Sequence, residues 1–114
     1  MVQKEDCLFC KIARGELNTD FIVEADDYVS FKDINPQAPV HALVIPREHF
    51  TSLNDMDDPD LMGKLLQGAR QTAEKLGAGD GYRVVINTGE KAGQAVFHIH
   101  VHVLGGRPLQ WPPG

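Results

Sequence analysis

The amino-acid sequence predicts an α+β fold, in which helices pack against a five-stranded and largely antiparallel sheet. Short runs rich in β-branched and aromatic residues recur along the chain and end in turn-forming residues, as strands do. One longer stretch instead repeats apolar residues at the spacing of an amphipathic helix. Several strands with few helices are typical of an α+β domain. With 114 residues, the chain (1–114) is expected to form a single domain.

The strands are predicted where apolar, β-branched runs stop at turn residues. Asp26 and Asp27 suit a turn between the first two strands, and Asn35 and Pro36 begin the loop after the second. The last two strands are expected to form a hairpin with a long loop. The predicted strands cover residues 21–24, 28–34, 40–46, 82–87 and 97–104.

Two helices complete the predicted fold. A short one around residues 9–13 is ended by Gly15. A longer one follows the acidic stretch 55–60, where Pro59 suits the first helical turn, and ends near Gly77. The apolar stripe of this second helix is expected to cover the sheet, and it comprises Leu61, Leu65, Leu66, Ala69, Ala73 and Leu76.

The last predicted strand alternates histidine with apolar residues, in the run VFHIHVHVL at 96–104. Successive side chains of a strand point to opposite faces, so the three histidines should share one face. A solvent face normally carries Lys, Glu or Thr, so this pattern indicates a function. The open alternatives are a metal chelate and nucleophilic or acid–base catalysis by imidazole. The histidines are His98, His100 and His102; Phe97, Ile99, Val101 and Val103 would share the buried face.

A polar loop at residues 87–94 precedes the histidine strand. Gly89 and Gly93 allow close backbone approach, and successive backbone N–H groups in such a loop suit an anion. A loop of this kind running into a row of imidazoles favours a phosphate held against histidine.

Charge and hydropathy limit the possible partners. The formal net charge of −5 argues against broad binding to nucleic acid or to an anionic membrane, so a nucleotide would need local donors. No apolar run reaches membrane-spanning length, and the N-terminal segment 1–6 lacks the apolar core of a signal peptide. A cytoplasmic protein with reduced cysteines is therefore expected.

Cys7 and Cys10 form a Cys-x-x-Cys pair. The spacing suits half of a four-ligand zinc site or a redox pair, although a thioredoxin-type motif would need a preceding strand. A zinc site needs two further ligands, and the histidines available for it are His41, His49, His98, His100 and His102.

The run HIHVHVL at 98–104 resembles the pattern of the histidine-triad (HIT) family. Residues 31–46 resemble the family's central hairpin, and residues 105–114 resemble the tail of its Hint branch, so the resemblance covers nearly the whole chain. It implies the same α+β fold and a homodimer, with the tail near the neighbouring subunit's site. It also implies an enzyme that cleaves the P–N bond of nucleoside 5′-phosphoramidates through a covalent nucleotidyl-histidine. The product would be a purine mononucleotide such as AMP or GMP.

The resemblance assigns roles by matched position. It makes His100 the nucleophile, gives His102 a contact to the phosphate and leaving group, and lets His98 and His41 orient the group. A neutral imidazole is a good nucleophile, and an ordinary pKa near 6.5 leaves much of it neutral at pH 7. The implied nucleotide-binding residues are Asp33 for the ribose, Phe9, Phe31 and Ile34 for the base, and Asn87, Gly93, Gln94 and Ala95 for the phosphate.

Ala95 departs from the family pattern, because familiar Hint proteins often carry serine there. The missing hydroxyl predicts weaker activity, since one hydrogen bond in a transition state is worth about 1–3 kcal/mol. For some members with this Cys-x-x-Cys pair the resemblance implies a structural zinc site that catalysis does not require. Its ligands here would be Cys7, Cys10, His49 and His98.

Three alternative functions stay open. A dinucleoside polyphosphate hydrolase of the Fhit type is related, but its relatives usually lack the Trp111-Pro-Pro-Gly114 tail. A nucleotide-binding regulatory module with weak catalysis draws support from Ala95. An oxidative metalloenzyme using the three histidines as ligands lacks an obvious carboxylate partner beside the strand.

Overall fold

The computed structural model describes residues 6–114, so the expectation for the N-terminal segment falls mostly outside the described residues, on residues 1–5. Two short 3₁₀ turns, Leu53–Asp55 and Glu90–Ala92, lie in loops. Within the described range no helix combines the length and the apolar character needed to cross a membrane. The helices and strands in chain order are α1 Leu8–Ala13, β1 Val23–Glu24, β2 Tyr28–Lys32, β3 Val40–Pro46, α2 Pro59–Lys75, β4 Tyr82–Val85 and β5 Val101–Gly105.

The five strands form one sheet in the order β1-β2-β3-β5-β4, with every neighbouring pair antiparallel. The predicted α+β class and the five-stranded antiparallel sheet are confirmed. In the centre of the sheet β3 pairs with β5, so that Leu43 lies opposite His102 and His41 lies opposite Leu104. His41 and His102 are therefore diagonal neighbours on one face, within reach of each other.

Helix α2 covers one face of the sheet and α1 packs on the other. Asp58 caps α2 by accepting a hydrogen bond from the Leu61 N–H, and Pro59 stands in the first turn, as predicted. The α2 side of the sheet buries Ile99, Val101 and Val103 completely or nearly so. The second cluster, on the α1 side, comprises Phe9, Ile12, Ala13, Val29, Phe31, Leu43 and Ile45.

The start of the last strand differs from the prediction. Strand β5 begins at Val101, because the Ile99 N–H donates to the Phe50 carbonyl at 2.7 Å instead of joining the ladder. The chain bends over residues 96–98, and this bend leaves Phe97 45% exposed, so its predicted burial is wrong. His98 and His100 consequently lie in the segment before the strand.

Three of the other four strands are shorter than the sequence pattern indicates. Strand β2 stops at Lys32, because Asp33 turns its carboxylate onto the Asn35 N–H at 2.8 Å and starts the loop before Pro36. Strand β1 is confined to residues 23–24 and β4 ends at Val85. Strand β3 has the predicted bounds.

Gly68→Ala is expected to lower the free energy of unfolding by about 1–3 kcal/mol, because it overpacks the contact between α2 and the sheet. A Cβ at Gly68 would lie 2.6 Å from Cε1 of Tyr28 and 3.1 Å from Cγ1 of Val44. Gly63 in the same helix has open space around its Cβ position, so Gly63→Ala is a matched control that should stabilise by up to about 1 kcal/mol. Urea denaturation of both variants checks this, and equal effects would contradict it.

Candidate active site

The alternating histidines separate into two groups once the chain is folded. The rings of His100 and His102 lie side by side, with centroids 4.9 Å apart, and both line one cavity. His41 on β3 joins them through His102, at 5.2 Å between centroids. His98 is fully buried and turns away, toward His49 at 5.0 Å and the two cysteines. The predicted row of three imidazoles is thus a pair at the cavity and a third ring beside the thiols.

The tautomer of His100 follows from its hydrogen bond. Its Nδ1 lies 2.8 Å from the carbonyl oxygen of His98. A carbonyl can only accept a hydrogen bond, so Nδ1 carries the hydrogen and the neutral ring has its lone pair on Nε2. Burial lowers the pKa of His100, against smaller raising effects of the His98 carbonyl and Asp33. His100 is therefore neutral at pH 7, which suits a nucleophile.

The tautomer of His102 follows from a series of hydrogen bonds that starts at a backbone amide. The Gln37 N–H donates to Nδ1 of His41 at 2.9 Å, so the neutral His41 ring carries its hydrogen on Nε2. That Nε2 lies 2.9 Å from Nδ1 of His102 and 3.3 Å from Oδ2 of Asp33. Donation to His102 leaves the hydrogen of the neutral His102 ring on its own Nε2. His100 and His102 thus have opposite tautomers, one with a lone pair and one with a hydrogen on Nε2.

The pKa of His102 is lowered to about 4, first by burial and then by electrostatic interaction with the neighbouring rings of His100 and His41, against a raising effect of Asp33. The unfolded chain therefore binds the proton more readily than the folded one between about pH 4 and pH 6.5. In that window the free energy of unfolding should rise with pH, and the contribution is lost as pH falls through it.

His102→Gln should consequently show a smaller gain in unfolding free energy from pH 5 to pH 7 than the wild type. Urea denaturation of both proteins in the presence of a chelator measures the difference, because the chelator removes any metal contribution that both share. Equal gains would show that His102 titrates alike in the folded and unfolded chain.

A cavity of about 410 Å³ lies between α1, the end of β2, the middle of β3, and the segment that leads into β5. Phe9 and Phe31 meet edge to face in its wall, at 5.9 Å between centroids, whereas Ile34 is fully exposed at its mouth. Seven of the predicted nucleotide-contacting residues line it: Phe9, Phe31, Asp33, Ile34, Ala95, His100 and His102. The prediction missed Leu8, Ile12, Leu17, Lys32, Leu43 and Val96, of which only Ile12 and Leu43 carried a signal, their apolar spacing.

Gln94 is engaged within the fold. Its Nε2 donates to the carbonyls of Thr51 at 2.7 Å and Val96 at 3.2 Å, and its Oε1 accepts from the Gly89 N–H at 2.8 Å. Both amide hydrogens are used, so a contact from this side chain to the phosphate would require one of these hydrogen bonds to break. The buried amide instead ties the polar loop to the segment at Thr51.

Most of the other groups expected to contact the phosphate are bonded within the loop or lie away from the cavity. The N–H groups of Gly93 and Gln94 donate to the carbonyls of Glu90 and Gly89, at 3.0 and 3.1 Å, so they serve the loop itself. Gly93 adopts a left-handed conformation with φ of 96°, which explains glycine at this turn. Asn87 is half-buried and, like Gly93 and Gln94, is not among the residues that line the cavity. Ala95 is the loop residue at the cavity wall.

A second constellation, termed here the thiol–imidazole cluster, consists of Cys7, Cys10, His49 and His98, whose ligand atoms all lie within 4.8 Å of one another. Nδ1 of His98 is 3.3 Å from the sulfur of Cys7 and 3.5 Å from that of Cys10. Nδ1 of His49 is 3.5 Å from the Cys10 sulfur. The sulfur–nitrogen edge of a tetrahedral zinc site is about 3.6 Å, from zinc–sulfur and zinc–nitrogen bonds of about 2.3 and 2.0–2.1 Å.

The surroundings of His98 also suit metal binding. Its Nε2 lies 2.9 Å from the carbonyl of Pro46, so Nε2 carries the hydrogen and Nδ1 presents its lone pair to the thiols. In metal-binding histidines, the N–H of the ring nitrogen that does not bind the metal commonly donates a hydrogen bond to such a carbonyl. Burial lowers the pKa of His98 to about 4, which keeps the ring neutral. The four residues therefore fit a closed Cys₂His₂ zinc site.

Comparisons with known proteins agree with the observed fold. The family model described as HIT domain matches residues 14–109. The "Uncharacterized HIT-like protein slr1234" of Synechocystis is 49% identical over 112 residues, covering 96% of this chain and 98% of the relative. A HIT-like protein of Synechococcus elongatus is 46% identical over the same shares of each chain.

Solved structures give the same result. A HIT family hydrolase from Legionella pneumophila Philadelphia 1 is 45% identical, with a TM-score of 0.91 that covers 96% of this chain and 100% of that one. A histidine triad nucleotide-binding protein from Candida albicans is 31% identical, with a TM-score of 0.81 over 94% of this chain and 83% of that one.

Proposed function

Because the chain belongs to the HIT family, we propose that it is a nucleoside phosphoramidase of the Hint branch, which releases a purine mononucleotide from an N-linked ester. The observation that carries this proposal is the pair of opposite tautomers at one cavity. His100 offers a lone pair and His102 offers a hydrogen, each on Nε2, with ring centroids 4.9 Å apart. Breaking a P–N bond needs a nucleophile on phosphorus and a proton donor for nitrogen.

The cavity suits a nucleotide placed with its base inside. The apolar wall around Phe9 and Phe31 would hold a purine ring, with Ile34 over the opening. The carboxylate of Asp33, at the cavity wall, would accept hydrogen bonds from the ribose hydroxyls. The α-phosphate would then lie against His100 and His102, next to Ala95.

The proposed reaction has two displacements at phosphorus. Nε2 of His100 attacks the α-phosphorus as the P–N bond breaks, and the departing nitrogen takes the Nε2 hydrogen of His102. The nucleotidylated His100 ring is then cationic. His102, which was neutral before it gave up its Nε2 hydrogen, is left as an imidazolate, and the positive charge of the neighbouring His100 ring offsets its negative charge. In the second displacement His102 removes a proton from water, which attacks the phosphorus and returns His100 to its neutral state. One water is consumed, and the amine and the mononucleotide are released.

The test is a comparison of two substrates, an adenosine 5′-alkylphosphoramidate and diadenosine tetraphosphate. We expect kcat/KM to favour the phosphoramidate by about 100-fold, or roughly 2.7 kcal/mol in activation free energy. The reverse preference would favour the alternative of a dinucleoside polyphosphate hydrolase. Binding of AMP without turnover of either compound would favour a regulatory module.

Ala95→Ser should raise kcat for the phosphoramidate by about 5- to 100-fold, because a hydroxyl at the cavity wall restores a hydrogen bond to the phosphate or the leaving group. Steady-state release of AMP measures the effect, and Ala95→Gly is the control that changes size without adding a donor. An unchanged rate for the serine variant would mean that the catalytic site works without this contact.

We also propose a homodimer, through the exposed apolar residues on α2 and the edge strand β4. Leu66 on α2 is 52% exposed and Val84 on β4 is 38% exposed. An adjoining apolar cavity of about 130 Å³ has Leu66 and Ile86 in its wall. An exposed apolar area on a sheet edge is a common subunit interface. Light scattering at micromolar concentration tests the proposal, and a monomer mass would contradict it.

The thiol–imidazole cluster is proposed to bind zinc. When bound, the metal would cross-link three separate stretches of the chain, at the Cys7–Cys10 pair, His49 and His98, and it takes no part in the displacement steps. Metal analysis of protein purified without chelator or nickel resin tests this. Less than about half an equivalent of zinc would count against the site.

A further inference from the structure

We propose that metal binding at the thiol–imidazole cluster assembles the nucleotide site, so that metal and nucleotide bind cooperatively. The inference rests on the proposed function, because it takes a mononucleotide as the ligand of the cavity. It goes beyond a structural metal site, because the two ligands are expected to raise each other's affinity. Two structural connections between the cluster and the cavity carry it.

The first connection is His98, which belongs to both sites. Its Nδ1 faces the thiols at 3.3 and 3.5 Å, and its Nε2 is held by the Pro46 carbonyl at 2.9 Å. Its own carbonyl accepts the Nδ1–H of His100 at 2.8 Å. The residue that would ligate the metal therefore also supplies the acceptor that orients the nucleophile. His98 is fully buried and closely packed. A movement of its ring when a metal binds or leaves therefore also moves its backbone carbonyl, which accepts the hydrogen bond from His100.

The second connection is helix α1. It has only six residues, too few to be stable alone, and it carries Cys10 while Cys7 caps its N-terminus. Phe9, between the two thiols, meets the rings of His98 and His100 edge to face, at 5.9 and 5.1 Å between centroids. Phe9 also lines the cavity. A metal held by both thiols would fix α1 against the sheet, and it would thereby fix the wall on which the base rests.

Cooperative binding must be reciprocal, and this makes the proposal testable without any measurement of catalysis. AMP binding is measured by calorimetry on the full-length protein, under a phosphine reductant, after chelator treatment and after loading with one equivalent of zinc. Cobalt(II) affinity is measured by the thiolate-to-cobalt absorption band, with and without saturating AMP. We expect zinc to tighten AMP binding about 5-fold or more, and AMP to tighten cobalt binding by a comparable factor.

Two variants separate this coupling from a general loss of stability. His49→Ala removes one metal ligand without altering the His98–His100 hydrogen bond or Phe9, and it should bind AMP as the metal-free wild type does. Thr72→Val removes a buried hydroxyl that bonds Ser30 and the Gly68 carbonyl under α2, and it should keep the zinc effect on AMP.

The possible outcomes distinguish failure of the cooperative link from failure of the proposed function. Equal AMP affinity with and without metal, or failure to bind cobalt at all, overturns the cooperative link and leaves the phosphoramidase proposal standing. A loss of AMP affinity of the same size in Thr72→Val as in His49→Ala would also overturn the link, because it would reflect stability alone. Absence of AMP binding under every condition would overturn the proposed function and the link together.

Discussion

His100→Ala is expected to lower kcat for an adenosine phosphoramidate by about 10⁴-fold or more, the loss that follows removal of a covalent nucleophile. The alanine variant has no lone pair at the cavity, so water would have to attack the phosphorus in a single displacement. The rate is measured at saturating substrate as the release of AMP, which is quantified by chromatography.

The control for His100→Ala is its affinity for AMP, which should change only a few-fold because the apolar wall around Phe9 and Phe31 stays intact. Acid quenching of the wild type during turnover should trap a nucleotidyl group on His100, detectable by mass spectrometry of its peptide. Equal rates in wild type and variant would remove His100 as the nucleophile.

His102→Ala should lower kcat for the same phosphoramidate by about 10²- to 10⁴-fold, the usual range for a lost general acid. The loss should depend on the leaving group, because an alkylamine needs a proton to depart and p-nitrophenolate does not. With the p-nitrophenyl ester of AMP as substrate we therefore expect a loss of only about 10-fold or less.

The comparison of leaving groups also contains the test of the role assigned to His102. Equal losses with both substrates would mean that His102 binds the phosphate and does not deliver the proton. His41→Ala provides a graded control, since it removes the Nε2–H that contacts Nδ1 of His102 at 2.9 Å and leaves the His102 ring in place. The loss of kcat in His41→Ala should depend on the leaving group in the same way, but it should be smaller.

The sequence pattern predicted the sheet and α2 because both have regular repeats of apolar residues. It did not predict where β5 begins, since the hydrogen bond that takes the Ile99 N–H out of the ladder goes to Phe50, 49 positions earlier in the chain. The segment before β5 keeps the alternation of polar and apolar residues although it leaves the hydrogen-bonded ladder of the sheet. The sequence therefore looks like one continuous strand. The exposure of Phe97 is the visible consequence.

The candidate site was predictable as a set of histidines but not as a set of roles. Alternation placed His98 and His100 together, yet only the folded chain shows one ring at the thiols and the other at the cavity. The tautomers depend on the carbonyl of His98 and the N–H of Gln37, and backbone groups leave no trace in a residue pattern. Gln94 matched a phosphate contact by position, although its amide hydrogens are spent on Thr51 and Val96.

The side chains around the cavity are apolar apart from Lys32, Asp33 and the two histidines. A ring held against the apolar wall around Phe9 and Phe31 is selected by its bulk and its stacking faces, since this part of the lining offers no side-chain partner for amino or keto substituents. Two-ring heterocycles should thus outcompete one-ring heterocycles, while exchange of an amino for a keto substituent should matter little. Substrates would then be distinguished mainly by the amine that serves as the leaving group.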